Sequence, residues 1–182
     1  MAVLGILNES PMHGYELRKR LNTVLGWGHA LSYGSLYPCL KSLLQQGYLS
    51  SDVQDAVSGP PLGRRARIVY QLTPEGKERF AEQLTEAGPA TWDDDDNFGV
   101  HFAFFARTDA VVRLRILEGR KRRLEERQER VRAQLQRTQE RMDAYAVELQ
   151  RHGLESVERE VSWLTQLIES ERHKERDEKR RR

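Results

Sequence analysis

Arg64, Arg65 and Arg67 crowd together directly after the turn-forming string Ser58-Gly59-Pro60-Pro61-Leu62-Gly63. Three cations on a stiff loop tip make a local anion site, suited to phosphates or to the minor groove of a duplex. A second set lies upstream. Gly34, Ser35, Pro38, Lys41, Ser42 and Gln45 recur at helical spacing, with Tyr33 and Tyr37 on the flank. Small, hydroxyl, amide and cationic groups on one helix face permit close approach, phosphate contact and hydrogen bonding to base edges. Each set has an ordinary rival explanation. Arginines in a turn are commonly just solvated, and a tyrosine often buries its ring at the core margin while its hydroxyl stays wet.

The other reactive side chains form no chemical constellation. His13, His29, His101, His152 and His173 show no paired i, i+4 or metal-finger spacing. No Ser/His/Asp arrangement, phosphate-cradling glycine loop or paired-carboxylate motif stands out, so neither an enzyme nor a metal or cofactor site is expected. Cys39 is the single cysteine, which excludes an internal disulfide and fits a reducing compartment. Beside Leu40, it reads as core packing rather than a redox sensor. The run Asp93-Asp94-Asp95-Asp96 reads as a solvated linker, because four adjacent carboxylates repel and do not converge on one ion.

Hydrophobic spacing defines the elements that must present the two candidate sets. Ala2 to Leu7 is a short apolar helix. Leu17, Leu21, Val24 and Leu25 then mark one face of a second, with Arg18, Lys19 and Arg20 largely outside it and Gly26 and Gly28 at its end. Leu36, Leu40, Leu43 and Leu44 mark a third, with Ser35 expected as N-cap, Pro38 in the first turn and Gly47 as the stop. The period then changes. Tyr48 to Val53 and Ile68 to Leu72 read as two strands of a hairpin tipped by the arginines. Thr73-Pro74 starts a fourth helix that turns Phe80 and Leu84 inward and stops at Gly88-Pro89. Three helices followed by a hairpin is the order of a winged helix-turn-helix, whose third helix enters the major groove.

The chain has 182 residues, 32% charged and 38% hydrophobic, room for one or two small domains. Thirty Lys and Arg stand against 28 Asp and Glu, a net charge of only +2, so an anionic partner must be held by a local patch. Composition divides the chain into residues 1–88, an acidic and aromatic linker at 89–107, and a helical part at 108–182. That last part lacks proline and reads as one helix from a Thr108 cap to Arg151, about 65 Å long, broken at His152-Gly153. Leu154, Val157, Val161, Leu164 and Ile168 then continue at 3-4-3-4 spacing. Two such helices have an apolar seam and little else to bury it against, so a partner chain is expected there. The fold class is mainly α with a small β-wing, followed by long antiparallel helices for dimerisation. Ala2 to Leu7 is too short for a signal sequence or a membrane span, so a soluble, cytoplasmic protein is expected.

Three strings in order, Met12-His13-Gly14-Tyr15-Glu16-Leu17, Gly34-Ser35-Leu36-Tyr37-Pro38-Cys39-Leu40 through Gly47-Tyr48-Leu49, and Tyr70-Gln71-Leu72-Thr73-Pro74-Glu75-Gly76, resemble the PadR family of bacterial transcriptional regulators. The resemblance covers residues 2–88. The C-terminal part resembles the family's variable helical dimerisation domain in type rather than by motif. The resemblance implies a homodimer that binds an inverted repeat in double-stranded DNA, usually as a repressor, and often leaves it when a small molecule binds. It matches Tyr15, Tyr33, Ser35, Tyr37, Lys41 and the arginines at 64, 65 and 67 to positions that face DNA. Two features depart from the family: a longer wing with Pro60-Pro61 in its tip, and a short stretch before the first helix.

Aromatic residues between the two parts are the candidates for an effector pocket: Trp92, Phe98, Phe102, Phe104 and Phe105, with Trp163 on the last helix. The competing explanation is a hydrophobic plug joining domains or protomers. The rival function from another class is a protein–protein adaptor, with the winged helix as scaffold and the long charged helices binding a partner.

Overall fold

The computed structural model describes residues 1–26, 32–54, 67–138 and 143–181. They form two compact units, one from residues 1–86 with 99–107 and the other from residues 87–98 with 108–182. Among the described residues no helix is long and apolar enough to cross a membrane.

The first unit is a winged helix. Helices α1 (Ala2–Leu7), α2 (Gly14–Leu25) and α3 (Tyr33–Gln45) are followed by strands β2 (Leu49–Gln54) and β3 (Arg67–Leu72) and by α4 (Pro74–Thr85). A two-residue strand, β1 (Met12–His13), adds to β3 and makes an antiparallel sheet ordered β1-β3-β2. Met12 pairs with Tyr70, and β2 runs from Leu49 opposite Leu72 to Gln54 opposite Arg67. The expected hairpin therefore supplies two strands of a three-stranded sheet, with β3 in its centre. Two residues carry no period, which hides β1 from a pattern reading.

The leucine rows turn inward as their spacing requires. Leu4, Ile6, Leu17, Leu21, Leu36 and Leu40 are at most 1% exposed, and Met12, Tyr70, Phe80 and Phe104 complete the core. Gly26 (φ 78°) and Gly47 (φ 76°) end α2 and α3 in the left-handed region that favours glycine. Gly28 lies outside the described residues. Thr73 caps α4 as expected: its Oγ1 accepts from Gly76 N at 3.0 Å and donates to Gly47 O at 2.7 Å. At Gly76 a side chain would run into the Tyr48 carbonyl, so this glycine fixes how closely α4 meets the end of α3.

Two expectations for α3 need correction. Its N-cap is Ser32, whose hydroxyl accepts from Ser35 N at 3.2 Å, so Ser35 lies in the first turn and Pro38 falls inside the helix. Two serines three apart offer the same cap chemistry, and the helix takes the earlier one. Cys39 is exposed rather than packed in the core.

The second unit is built on two helices, α7 (Ala110–Thr138) and α8 (Ala144–Arg181). They run antiparallel, as ion pairs Arg113–Glu171 (2.7 Å), Glu118–Arg172 (2.6 Å) and Arg132–Glu158 (2.6 Å) show. Asp109, not Thr108, caps α7, its carboxylate accepting from Val111 N at 2.8 Å. The chain reverses between Thr138 and Ala144, and α8 passes straight through Gly153. The expected break at His152-Gly153 is absent because Val147, Leu154, Val161 and Ile168 keep a seven-residue row across it. That seam faces a partner within the chain: Leu164 and Ile168 are 0% and 5% exposed, and α7 contributes Ile116, Leu117 and Leu124 to the buried set.

Residues 89–107, expected as a linker, hold regular structure, although Asp93 to Asp96 stay exposed. They fold as α5 (Pro89–Trp92), α6 (Asp95–Ala103) and a 3-10 turn at Phe105–Arg107. The aspartates divide the work: Asp94 accepts from Asn97 N at 2.9 Å at the start of α6, Asp93 pairs with Arg123, and Asp95 pairs with Arg120. Asp95 and Asp96 also sit in the first turn, where a negative charge is favoured.

Candidate nucleic-acid interface

Burying Leu36 and Leu40 forces the opposite side of α3 outward. Gly34, Ser35, Pro38, Lys41, Ser42 and Gln45 are all exposed, so the structure brings this part of the predicted set together on one helix face. Ser35 Oγ donates to Ser32 O at 3.0 Å and lies 3.3 Å from Ser32 Oγ, which ties it to the helix cap. Among the described residues no carboxylate lies within 4.0 Å of the Lys41 ammonium. Tyr37 does two jobs. It is 47% exposed, yet its ring and hydroxyl approach within 3.5 Å of where a Gly14 side chain would begin. Tyr70 closes the same point, and burial, with the Tyr37 hydroxyl second, raises its phenol above the ordinary value.

Helix α2 adds Arg18, Lys19 and Asn22, left out of the site on sequence alone, to Tyr15, which the resemblance matched to it. Tyr15 is 67% exposed. With Arg18, Lys19, Asn22, Thr23 and Gly26 it lines a surface depression of about 460 Å³. Tyr15, Arg18, Lys19 and Asn22 stand at i, i+3, i+4 and i+7, the stripe opposite Leu17 and Leu21, which was the available signal. Arg20 is otherwise engaged, with Glu9 at 3.3 Å and Glu16 at 3.8 Å. Arg64 and Arg65 lie outside the described residues, Arg67 opens β3, and Tyr33 opens α3.

The effector candidates divide. Trp92 and Phe98 belong to the second unit, where both meet Arg120, a side chain only 5% exposed. Its Nη1 donates to Trp92 O at 3.1 Å, its Nε to Glu160 at 3.0 Å, and its guanidinium lies 5.2 Å from the Phe98 ring centre. Burial opposes the charge, but hydrogen bonds to Asp95 and Glu160 outweigh it and raise the Arg120 pKa. The Trp92 ring also covers Gly119, where any side chain would overlap it. Phe102 and Phe105 belong to the first unit, ring centres 4.9 Å apart, and Phe104 meets Phe80 edge-on at 5.5 Å. Trp163 stands on α8, 40% exposed. Among the described residues no group of His, Cys, Asp and Glu is placed to hold a metal ion.

A three-helix core with a small antiparallel sheet and an outward polar face on its third helix defines the winged-helix class of DNA-binding proteins. Residues 3–82 match the family model described as transcriptional regulator PadR-like family, and the chain belongs to that family of transcriptional regulators. Solved structures similar to it include PadR of Bacillus subtilis in complex with operator DNA (18% identity, 93% of this chain, 97% of that chain, TM-score 0.44). The same protein in complex with p-coumaric acid matches at 18% identity over 93% and 96% of the two chains, TM-score 0.41. A Thermoplasma acidophilum protein described as a transcriptional regulator is 31% identical over 44% of this chain and 69% of its own, TM-score 0.37. No curated protein sequence matches.

Proposed function

We propose that the chain acts in the cytoplasm as a transcriptional repressor, binding an inverted-repeat operator as a homodimer. Helix α3 reads the major groove through Lys41, Ser42 and Gln45, while Tyr15, Tyr37 and the arginines at 64, 65 and 67 hold the flanking backbone. The observation that supports this reading is the division of α3 into a buried leucine row and an exposed polar row. An apolar or acidic outer face would serve an adaptor better than a DNA reader. Release by a small molecule belongs to the same proposal, as does a part for the aromatic candidates in taking that molecule up.

A gel shift on the chain's own upstream region tests it. Arg64→Ala, Arg65→Ala and Arg67→Ala together should weaken binding and flatten the dependence of log affinity on log salt, since each phosphate contact contributes a slope of about −0.9. No shift on any duplex at low salt would sink the regulator reading in favour of the adaptor.

A further inference from the structure

On the outer row of α3, one hydrogen bond fixes what a hydroxyl offers to solvent. Ser42 and Gln46 stand at i and i+4, neighbours on the helix surface, and both are exposed. The Gln46 side-chain amide donates from Nε2 to Ser42 Oγ at 2.8 Å. Among the described residues this is the only polar partner of the Ser42 hydroxyl. Other hydroxyls on the helices turn their protons back onto the backbone. Thr23 donates to Lys19 O at 3.0 Å, Thr165 to Val161 O at 2.8 Å, and Ser35 to Ser32 O at 3.0 Å. Ser42 does not. Its oxygen accepts from Gln46, and its proton has no acceptor among the described residues.

The corner that carries Gln46 is held on both sides. Its backbone N–H donates to Ser42 O at 3.0 Å, and the carbonyl of the following residue, Gly47, accepts from Thr73 Oγ1 at 2.7 Å. A hydroxyl has one proton to give and two lone pairs. With one lone pair filled and the proton unclaimed, the outside partner that leaves nothing unpaired is an acceptor. A base donor could enter the second lone pair, yet it would strand the proton in a desolvated groove, where an unmade hydrogen bond is costly. Accepting from Gln46 also polarises the hydroxyl and strengthens it as a donor. Lys41, the preceding residue, can only donate. Guanine is the base whose major-groove edge carries two adjacent acceptors, N7 and O6, and no donor. Adenine sets a donor beside its N7, cytosine offers a donor, and thymine pairs one acceptor with a methyl group.

We propose that Gln46 is a positioning residue that sets Ser42 as a hydrogen-bond donor, so that Lys41 and Ser42 together select guanine in the operator. This rests on the reading of α3 as the element in the major groove and names the base it prefers. The test uses the full chain and the duplexes it retains from a randomised pool. Those duplexes should share a guanine whose exchange for adenine weakens binding about tenfold in a gel shift. Ser42→Ala should reduce that penalty to about threefold or less, because one of the two donors is gone. Gln46→Glu offers only acceptors, claims the Ser42 proton and leaves lone pairs outward, so the preference should turn from guanine towards adenine. Gln46→Lys supplies a donor again and should keep guanine. Each readout is a ratio between two duplexes, which partial loss of fold or a general change of charge does not move. A guanine preference unchanged in Ser42→Ala or Gln46→Glu, or retained duplexes with no shared guanine, overturns the assignment and leaves α3 as a DNA reader. Where Gln46→Glu binds too weakly to compare, Ser42→Ala decides alone. A parent chain that retains no duplex overturns the regulator reading as well.

Discussion

Lys41 and Leu40 are neighbours in sequence with opposite duties, and substitution should separate them. Leu40 is 1% exposed, so Leu40→Ala removes packing and should cost about 2–5 kcal/mol of stability. Lys41 is exposed, and Lys41→Ala should leave the thermal midpoint within a degree or two while weakening operator binding about tenfold, or about 1.4 kcal/mol. A gel shift beside a thermal melt reads both. His101 gives a pH signature of another kind. It is buried, and burial holds its pKa below the ordinary 6.5, with Glu86 opposing only in part. Below that pH the unfolded chain takes up a proton that the folded ring resists, so stability is complete above about 6.5 and declines as the solution is acidified. His101→Gln should flatten the fall in thermal midpoint between pH 7 and pH 5. An unchanged slope would place the acid sensitivity elsewhere.

The elements that could be read in advance are those whose signal is local. Helices α2, α3 and α4 each carry a one-sided apolar row within a dozen or so residues, and the wing strands carry alternation, so their existence followed from spacing, and their buried faces did too except at Val24 and Ile68, which are 42% and 40% exposed. The outer face of α3 was legible for the same reason, as the complement of Leu36 and Leu40. Segment 93–96 was not. Its compensating charges, Arg120 and Arg123, lie on α7, far along the chain, and four aspartates without them look like solvent. The same segment supplies an element-scale prediction. Arg120→Ala removes a buried guanidinium, but Asp95 is 74% exposed and can rehydrate, so the loss should be about 1–3 kcal/mol rather than the 3–5 of a fully buried pair. Gly119→Leu drives a side chain into the Trp92 ring, and the packed interior gives way only by displacing it. It should cost at least as much and blue- or red-shift tryptophan fluorescence, which Arg120→Ala should do less. Chemical denaturation with fluorescence detection distinguishes the two.

At the scale of the whole molecule, a net charge of +2 sets the terms on which DNA can be held. Long-range attraction contributes little, so a single winged helix has only its local contacts, and the homodimer proposed above would gain specificity by engaging two of them at once. Two recognition helices in successive major grooves require half-sites 10–10.5 bp apart, centre to centre. Five extra base pairs turn the second half-site to the far side of the duplex, beyond a twofold partner. Binding should then fall to the level of an isolated half-site, a loss of at least 100-fold. Ten extra base pairs restore the facing but add about 34 Å. A rigidly joined dimer cannot stretch by that much, whereas one joined by loose tails would recover. A gel-shift series over spacer lengths of zero, five and ten base pairs therefore reports on the stiffness of the dimer as well as on its symmetry. Recovery at ten would count against a rigidly joined dimer.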